Sequence, residues 1–116
     1  MSNTVLIDLK QGSSFSGLIT YSDDSQVPVD LTGMTVRGQG RLSYKSPTPL
    51  FTFVFTLRDQ VTNPGEVEWT LPSTALNALA LDKEISTIFD VELVHLDSSV
   101  EELFRGVAKI TPKVTK

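Results

Sequence analysis

Leu50-Phe51-Thr52-Phe53-Val54-Phe55-Thr56-Leu57 is the stretch that decides the fold. Phe51, Phe53, Phe55 and Leu57 fall on one side of an extended chain, and Thr52, Val54 and Thr56 fall on the other. A period of two marks a strand with one buried face. The same alternation returns over 65–71, where Val67, Trp69 and Leu71 oppose Glu66, Glu68 and Thr70. It returns again over 88–96, where Phe89, Val91 and Leu93 oppose Asp90 and Glu92. Less regular strands are expected over residues 5–9, 14–21, 35–43 and 102–110. Gly38, Gly40 and Gly106 lie inside such runs, where glycine marks a bulge or a close backbone approach. In the last run Phe104, Ala108 and Ile110 share one phase while Leu103 and Val107 share the other, which predicts a bulge near Gly106.

Turn chemistry separates these runs. Ser46-Pro47-Thr48-Pro49 cannot continue a ladder, because each proline removes a backbone donor. Thr62-Asn63-Pro64-Gly65 combines a proline that presets φ with a glycine free to adopt positive φ. Asp97-Ser98-Ser99 closes a hairpin, and Asp23-Asp24-Ser25-Gln26 and Asp30-Leu31-Thr32-Gly33 break the first third of the chain. One segment departs from the pattern: in Pro72-Ser73-Thr74-Ala75-Leu76-Asn77-Ala78-Leu79-Ala80-Leu81 no β-branched residue follows Thr74. Leu76, Leu79 and Ala80 are spaced i, i+3, i+4, which predicts a short helix over about 73–81 with Ser73 or Thr74 as its N-cap. About seven strands and one crossover helix imply an all-β two-sheet sandwich, with a small barrel as the competing architecture.

The chain has 116 residues, which suits one domain spanning 1–116. It has no cysteine, which excludes disulfides, thiolate metal sites and thiol catalysis. The net charge is −4 and the ten basic residues are scattered from Lys10 to Lys116, so no nucleic-acid partner is expected. Met1 to Asp8 lacks a basic n-region, and no stretch reaches the ~20 apolar residues that span a bilayer. Neither export through an N-terminal signal nor a membrane partner is expected.

Candidate chemistry is thin. His95, the sole histidine, is in phase with Phe89, Val91 and Leu93, and a hydrogen-bonded structural role at the core margin outweighs a general base or metal ligand. No Gly-x-Ser-x-Gly elbow supports a Ser-His-Asp triad. Asp23/Asp24, Glu66/Glu68, Asp90/Glu92 and Glu101/Glu102 are paired along the chain. The i, i+2 pairs share a strand face and read as a solvated outer surface, not as carboxylates opposed across a cleft. A calcium site at Asp23, Asp24 and Asp30 lacks the EF-hand spacing, and the glycines form no phosphate-cradling loop. No metal, cofactor or catalytic residue is expected. Trp69 belongs in the core, whereas Tyr21 and Tyr44 stand at strand ends beside loops and are candidates for contacts. Val5, Leu6 and Ile7 at one end and Val114 at the other are candidate interface residues that could pair with a neighbour's sheet edge. The reading that outweighs it is that both ends complete their own sheets.

Several stretches read together carry a resemblance. They are Asp8-Leu9-Lys10-Gln11-Gly12, Phe15-Ser16-Gly17-Leu18-Ile19-Thr20, and Val27-Pro28-Val29-Asp30-Leu31-Thr32-Gly33 running on to Arg41. Gly65-Glu66-Val67-Glu68-Trp69-Thr70-Leu71, Phe89-Asp90-Val91-Glu92-Leu93 and Leu103-Phe104-Arg105-Gly106 through Thr115 complete the order. This order resembles the immunoglobulin-like domains of tailed-bacteriophage structural proteins, including the N-terminal domain of baseplate upper proteins. The resemblance implies an immunoglobulin-like sandwich and a virion component made in the host cytoplasm. Its partners would be other virion proteins of the same phage and copies of itself, joined without turnover. In baseplate upper proteins a linker and a fibre-forming region follow such a domain. No heptad or trimerisation segment follows Thr111-Pro112-Lys113-Val114-Thr115 here, which favours a stand-alone adaptor or decoration subunit over a fibre scaffold, with a tail, baseplate or fibre-attachment adaptor as the leading expectation. The alternatives are a capsid decoration protein and a host-glycan binding module.

Overall fold

The computed structural model describes residues 4–77, 79 and 81–113. Among them are β1 (Thr4–Lys10), β2 (Phe15–Thr20), β3 (Thr35–Arg41), β4 (Phe51–Thr52), β5 (Val54–Leu57), β6 (Glu66–Leu71), β7 (Ile85–Val94) and β8 (Val100–Thr111). These strands form a five-stranded sheet ordered β1-β8-β7-β3-β4 and a three-stranded sheet ordered β2-β6-β5. All pairings are antiparallel except β1 with β8, which is parallel. The buried side chains of both sheets make a single cluster, so the architecture is all-β and sandwich-like.

Alternation sets the facing. Val67, Trp69 and Leu71 on β6, and Phe89, Val91 and Leu93 on β7, are buried as their phase predicts. Aromatic rings occupy the middle of the cluster: Phe53 lies 4.9 Å from Trp69 and 5.7 Å from Phe89, centroid to centroid. Trp69 in turn reaches Phe104 at 5.5 Å, edge to face. Each such ring stabilises the fold by roughly 1.5–3 kcal/mol through burial, and its pairwise geometry adds about 0.5–1.5 kcal/mol. The buried Thr87 hydroxyl donates to the Ala108 carbonyl at 2.9 Å, so the core holds no stranded hydroxyl there.

The decisive stretch folds differently from a single strand. Phe51 and Thr52 pair with β3 in the five-stranded sheet, whereas Val54 to Leu57 pair with β6 in the other. The chain changes sheets at Phe53, whose backbone N–H donates to the Gly38 carbonyl at 3.0 Å. Strand count therefore rises from about seven to eight. Facing survives the switch, because the rim of a sandwich turns both sheets toward one core: Phe51 and Phe53 are buried, and Phe55 and Leu57 are packed against them.

The helix expected over 73–81 is replaced by consecutive tight turns among the described residues, with Ala78 and Ala80 lying outside them. Ala75 N–H donates to Pro72 O, Asn77 N–H to Thr74 O and Leu79 N–H to Leu76 O, all three residues back. The Gln11 side-chain amide donates to the Leu76 and Leu79 carbonyls at 2.9 and 2.7 Å. A segment this short gains little from helix propagation, and a side chain from the β1–β2 connection supplies partners for its carbonyls instead. Leu76 is still buried, as the apolar spacing requires.

The bulge also moves. Val91 pairs with Phe104 and Glu92 with Glu102, which leaves Leu103 as the extra residue on β8. That places Leu103 and Phe104 together against the core, the two phases that the sequence shows in conflict. Gly106 instead sits in regular register between Phe89 and Val5, and a Cβ there would collide with the Val5 carbonyl and the Phe89 ring. At Gly65 the 62–65 turn does use positive φ, at 80°.

Candidate functional site

The register of the five-stranded sheet places two polar rows and one largely apolar row on its outer face. Arg37, Glu92 and Glu102 are cross-strand neighbours, and so are Gln39, Asp90 and Arg105. The next row, Arg41, Ile88, Val107 and Leu6, runs out to the edge strand β1. Salt links tie this surface together. Arg37 Nε donates to Glu92 at 2.9 Å, and Arg105 donates twice to Glu102, at 3.0 Å each. Arg41 donates to the Ser46 carbonyl at 2.9 Å and to Gln39 Oε1 at 3.1 Å, which holds the β3–β4 loop over the sheet.

That loop carries Tyr44, and beneath it lies an open groove of about 310 Å³ lined by Gln39, Arg41, Tyr44, Asp90, Glu92 and Arg105, among others. No side chain among the described residues makes a hydrogen bond or ion pair to the Asp90 carboxylate, although Glu92 and Glu102 are both clasped by arginines. Burial first, and then the charges of Glu92 and Glu102, push the Asp90 carboxyl above its ordinary value; Arg105 and Arg41 pull the other way. The groove thus presents fixed donors, a free acceptor and an exposed aromatic ring.

The five described candidate interface residues do not converge. Val5 and Ile7 face inward and pack on the core, while Leu6 is 75 % exposed on the outer face. Among the described residues β1 is paired only with β8, so its other edge is open. Tyr44 is 75 % exposed and shares the outer face with Leu6. Tyr21 lies elsewhere, half-buried at the end of β2. Val114 falls outside the described residues.

Tyr21 and His95 meet at one carboxylate. The Tyr21 hydroxyl donates to Glu101 Oε1 at 2.9 Å, and His95 Nε2 lies 2.9 Å from the same oxygen. This clasp fastens the end of the three-stranded sheet to the β7–β8 hairpin, a structural use of the histidine at the core margin. The Glu101 hydrogen bond, with burial and nearby negative charge, pushes the Tyr21 hydroxyl's pKa up. Other acidic pairs also act in architecture. Glu66 and Glu68 both pair with Arg58, at 3.3 and 2.9 Å, on the outer face of the three-stranded sheet. Asp23 accepts from the Ser25 and Val27 amides, and Asp30 from the Thr32 amide and hydroxyl, so both close turns. Among the described residues no group of three or more His, Cys, Asp or Glu is placed to hold a metal ion.

Sequence reasoning assigned Asp90 and Glu92 to the outer face but missed the groove. The signal was there in the phase of Arg37, Gln39 and Arg41, yet the loop that roofs the groove is fixed by Arg41 only in three dimensions. Compared with known proteins, the chain matches no protein-family model and no curated protein.

Proposed function

We propose that this chain is an immunoglobulin-like structural subunit of a tailed-phage virion, an adaptor at the tail, baseplate or fibre-attachment point. It works through complementary surfaces joined to other virion proteins and to copies of itself, with no turnover and no cofactor. The observation that carries the reading is the open edge of β1, with Leu6 exposed beside it at the end of the Leu6–Val107–Ile88 row. A strand edge with unpaired backbone groups is a template for strand addition, a common assembly mode. The Val27–Gly33 stretch, one of those that carry the phage resemblance, also has a physical role. Asp30 caps the turn before β3, and Leu31 is fully buried, with its amide donating to Gln60 at 2.9 Å.

The test is quantitative mass spectrometry of purified particles of the phage that encodes the chain. A small symmetric number, roughly three, six or twelve copies, supports the adaptor. Copies on the order of hundreds would make it a capsid decoration protein instead, by the same symmetry argument. Absence from the particle sinks the virion reading altogether.

A further inference from the structure

We propose that the groove lined by Tyr44 on the outer face of the five-stranded sheet is a binding site for a neutral pyranose ring, a glycan subsite beside the row that leads to the assembly edge at β1. Three observations lead there. The first is the mixture of charge. Arg41 and Arg105 line the same groove as Asp90 and Glu92, so a free anion meets carboxylates and a free cation meets guanidiniums. A neutral ligand that both donates and accepts at adjacent carbons meets neither penalty. Sugar hydroxyls have that property: each can accept from a guanidinium N–H while donating to a carboxylate or to Gln39.

The second is order. Arg41 is held by Gln39 and the Ser46 carbonyl, and Arg105 by both oxygens of Glu102. Donors already locked in place lose little side-chain freedom when a ligand arrives. Asp90, by contrast, has both carboxylate oxygens free of protein partners among the described residues and is half-buried in the lining of the groove. Charged acceptors in that setting form the strongest hydrogen bonds to an incoming hydroxyl.

The third is shape. The Tyr44 ring stands 75 % exposed at the groove wall, an apolar plane against which the C–H face of a pyranose can lie. A volume of about 310 Å³ falls at the lower end for small-ligand sites, suited to one ring. A neighbouring depression of about 400 Å³ shares Gln39, Asp90 and Glu92 and continues toward Thr52, which leaves room for a second ring.

The experiment is a titration of the full chain, labelled with ¹⁵N, by a series of methyl pyranosides and disaccharides, followed by amide shift changes. Methylguanidinium and inorganic phosphate serve as charged probes. The expected result is saturable, millimolar binding of at least one neutral sugar, with shifts centred on residues 39–41, 88–92 and 102–105. Asp90→Asn, which keeps the shape, and Tyr44→Ala, on an exposed loop, are each expected to weaken binding about tenfold or more while the rest of the spectrum stays in place. The proposal is overturned if no sugar saturates this face, or if shifts centre elsewhere. It is equally overturned if the charged probes saturate the groove while the sugars do not, or if both variants bind as the parent does.

Discussion

Phe89 and Asp90 are neighbours on β7, yet they belong to different worlds. Phe89 is buried among Phe53, Trp69 and Phe104, while Asp90 stands half-buried on the opposite face without a protein partner among the described residues. The whole strand repeats this contrast: Thr87, Phe89, Val91 and Leu93 are sealed inside, and Ile88, Asp90, Glu92 and Val94 look outward. The inner set supplies the burial on which folding depends. The outer set is only partly buried and is expected to contribute less to stability. One residue of register separates the two roles.

The contrast can be broken most directly at its inner half. Phe89→Ala is expected to cost about 3–5 kcal/mol by urea denaturation, because it removes the ring that three other aromatics share. A loss below about 1 kcal/mol would mean that the inner face does not dominate stability. Next in size is Gly106→Val, also on the inner face, where the side chain would meet the Val5 carbonyl and the Phe89 ring. Overpacking there is expected to cost about 1–3 kcal/mol. Hydrogen exchange should quicken first in the β1 amides, whose only described pairing is with β8. Unchanged protection in β1 would show that the strand gives way without separating.

The outer half predicts smaller effects, one of them of opposite sign. Burial and the charges of Glu92 and Glu102 raise the Asp90 pKa above its ordinary 3.8, so the folded state holds that proton more tightly than the unfolded chain does. Its stabilising contribution is complete below about pH 3.8 and is lost as pH rises through the folded value. Asp90→Asn is therefore expected to stabilise the fold at neutral pH by less than about 1 kcal/mol, with the gain vanishing in acid. Thermal melts at several pH values would read this, and a loss of stability at neutral pH would give Asp90 a structural role. The exposed Asp30 and Asp97, held below their ordinary values by hydrogen bonds from Thr32 and Ser99, titrate in the opposite sense. Both are common to the parent and the variant, so they cancel in the difference. Least of all, Arg37→Ala is expected to change stability by no more than about 0.5 kcal/mol, since its pair with Glu92 is largely exposed. A larger loss by urea denaturation would mean that the outer network braces the sheet.

Legibility in the sequence follows how local each feature is. Period-two alternation is a property of a few adjacent residues, and it identified the buried sides of β6 and β7 and the core position of Trp69. Turn residues are equally local, so the 62–65 and 97–99 turns were readable from their side chains. The helix expected over 73–81 failed because its carbonyls found Gln11, a partner more than sixty residues away in the chain. The bulge was readable as a clash of phases in the last strand, but its place at Leu103 depends on the partner register of β7. The candidate groove was hidden for the same reason: Gln39, Tyr44, Asp90 and Arg105 are brought together by cross-strand pairing and a loop clamp, not by proximity in the chain.

By itself, then, the sequence determined that this protein is all-β and, in the runs over 51–57, 66–71 and 88–93, which side chains turn inward, because alternation and turn chemistry act over a few residues at a time. Only the tertiary structure decided that residues 51–57 divide between two sheets at Phe53, that the carbonyls of 76 and 79 bond to a side chain, and that Asp90 and Tyr44 line one groove, Asp90 without a protein partner among the described residues. Each of these depends on which distant segment satisfies a given backbone or side-chain group, and that competition is settled only when the whole chain has packed.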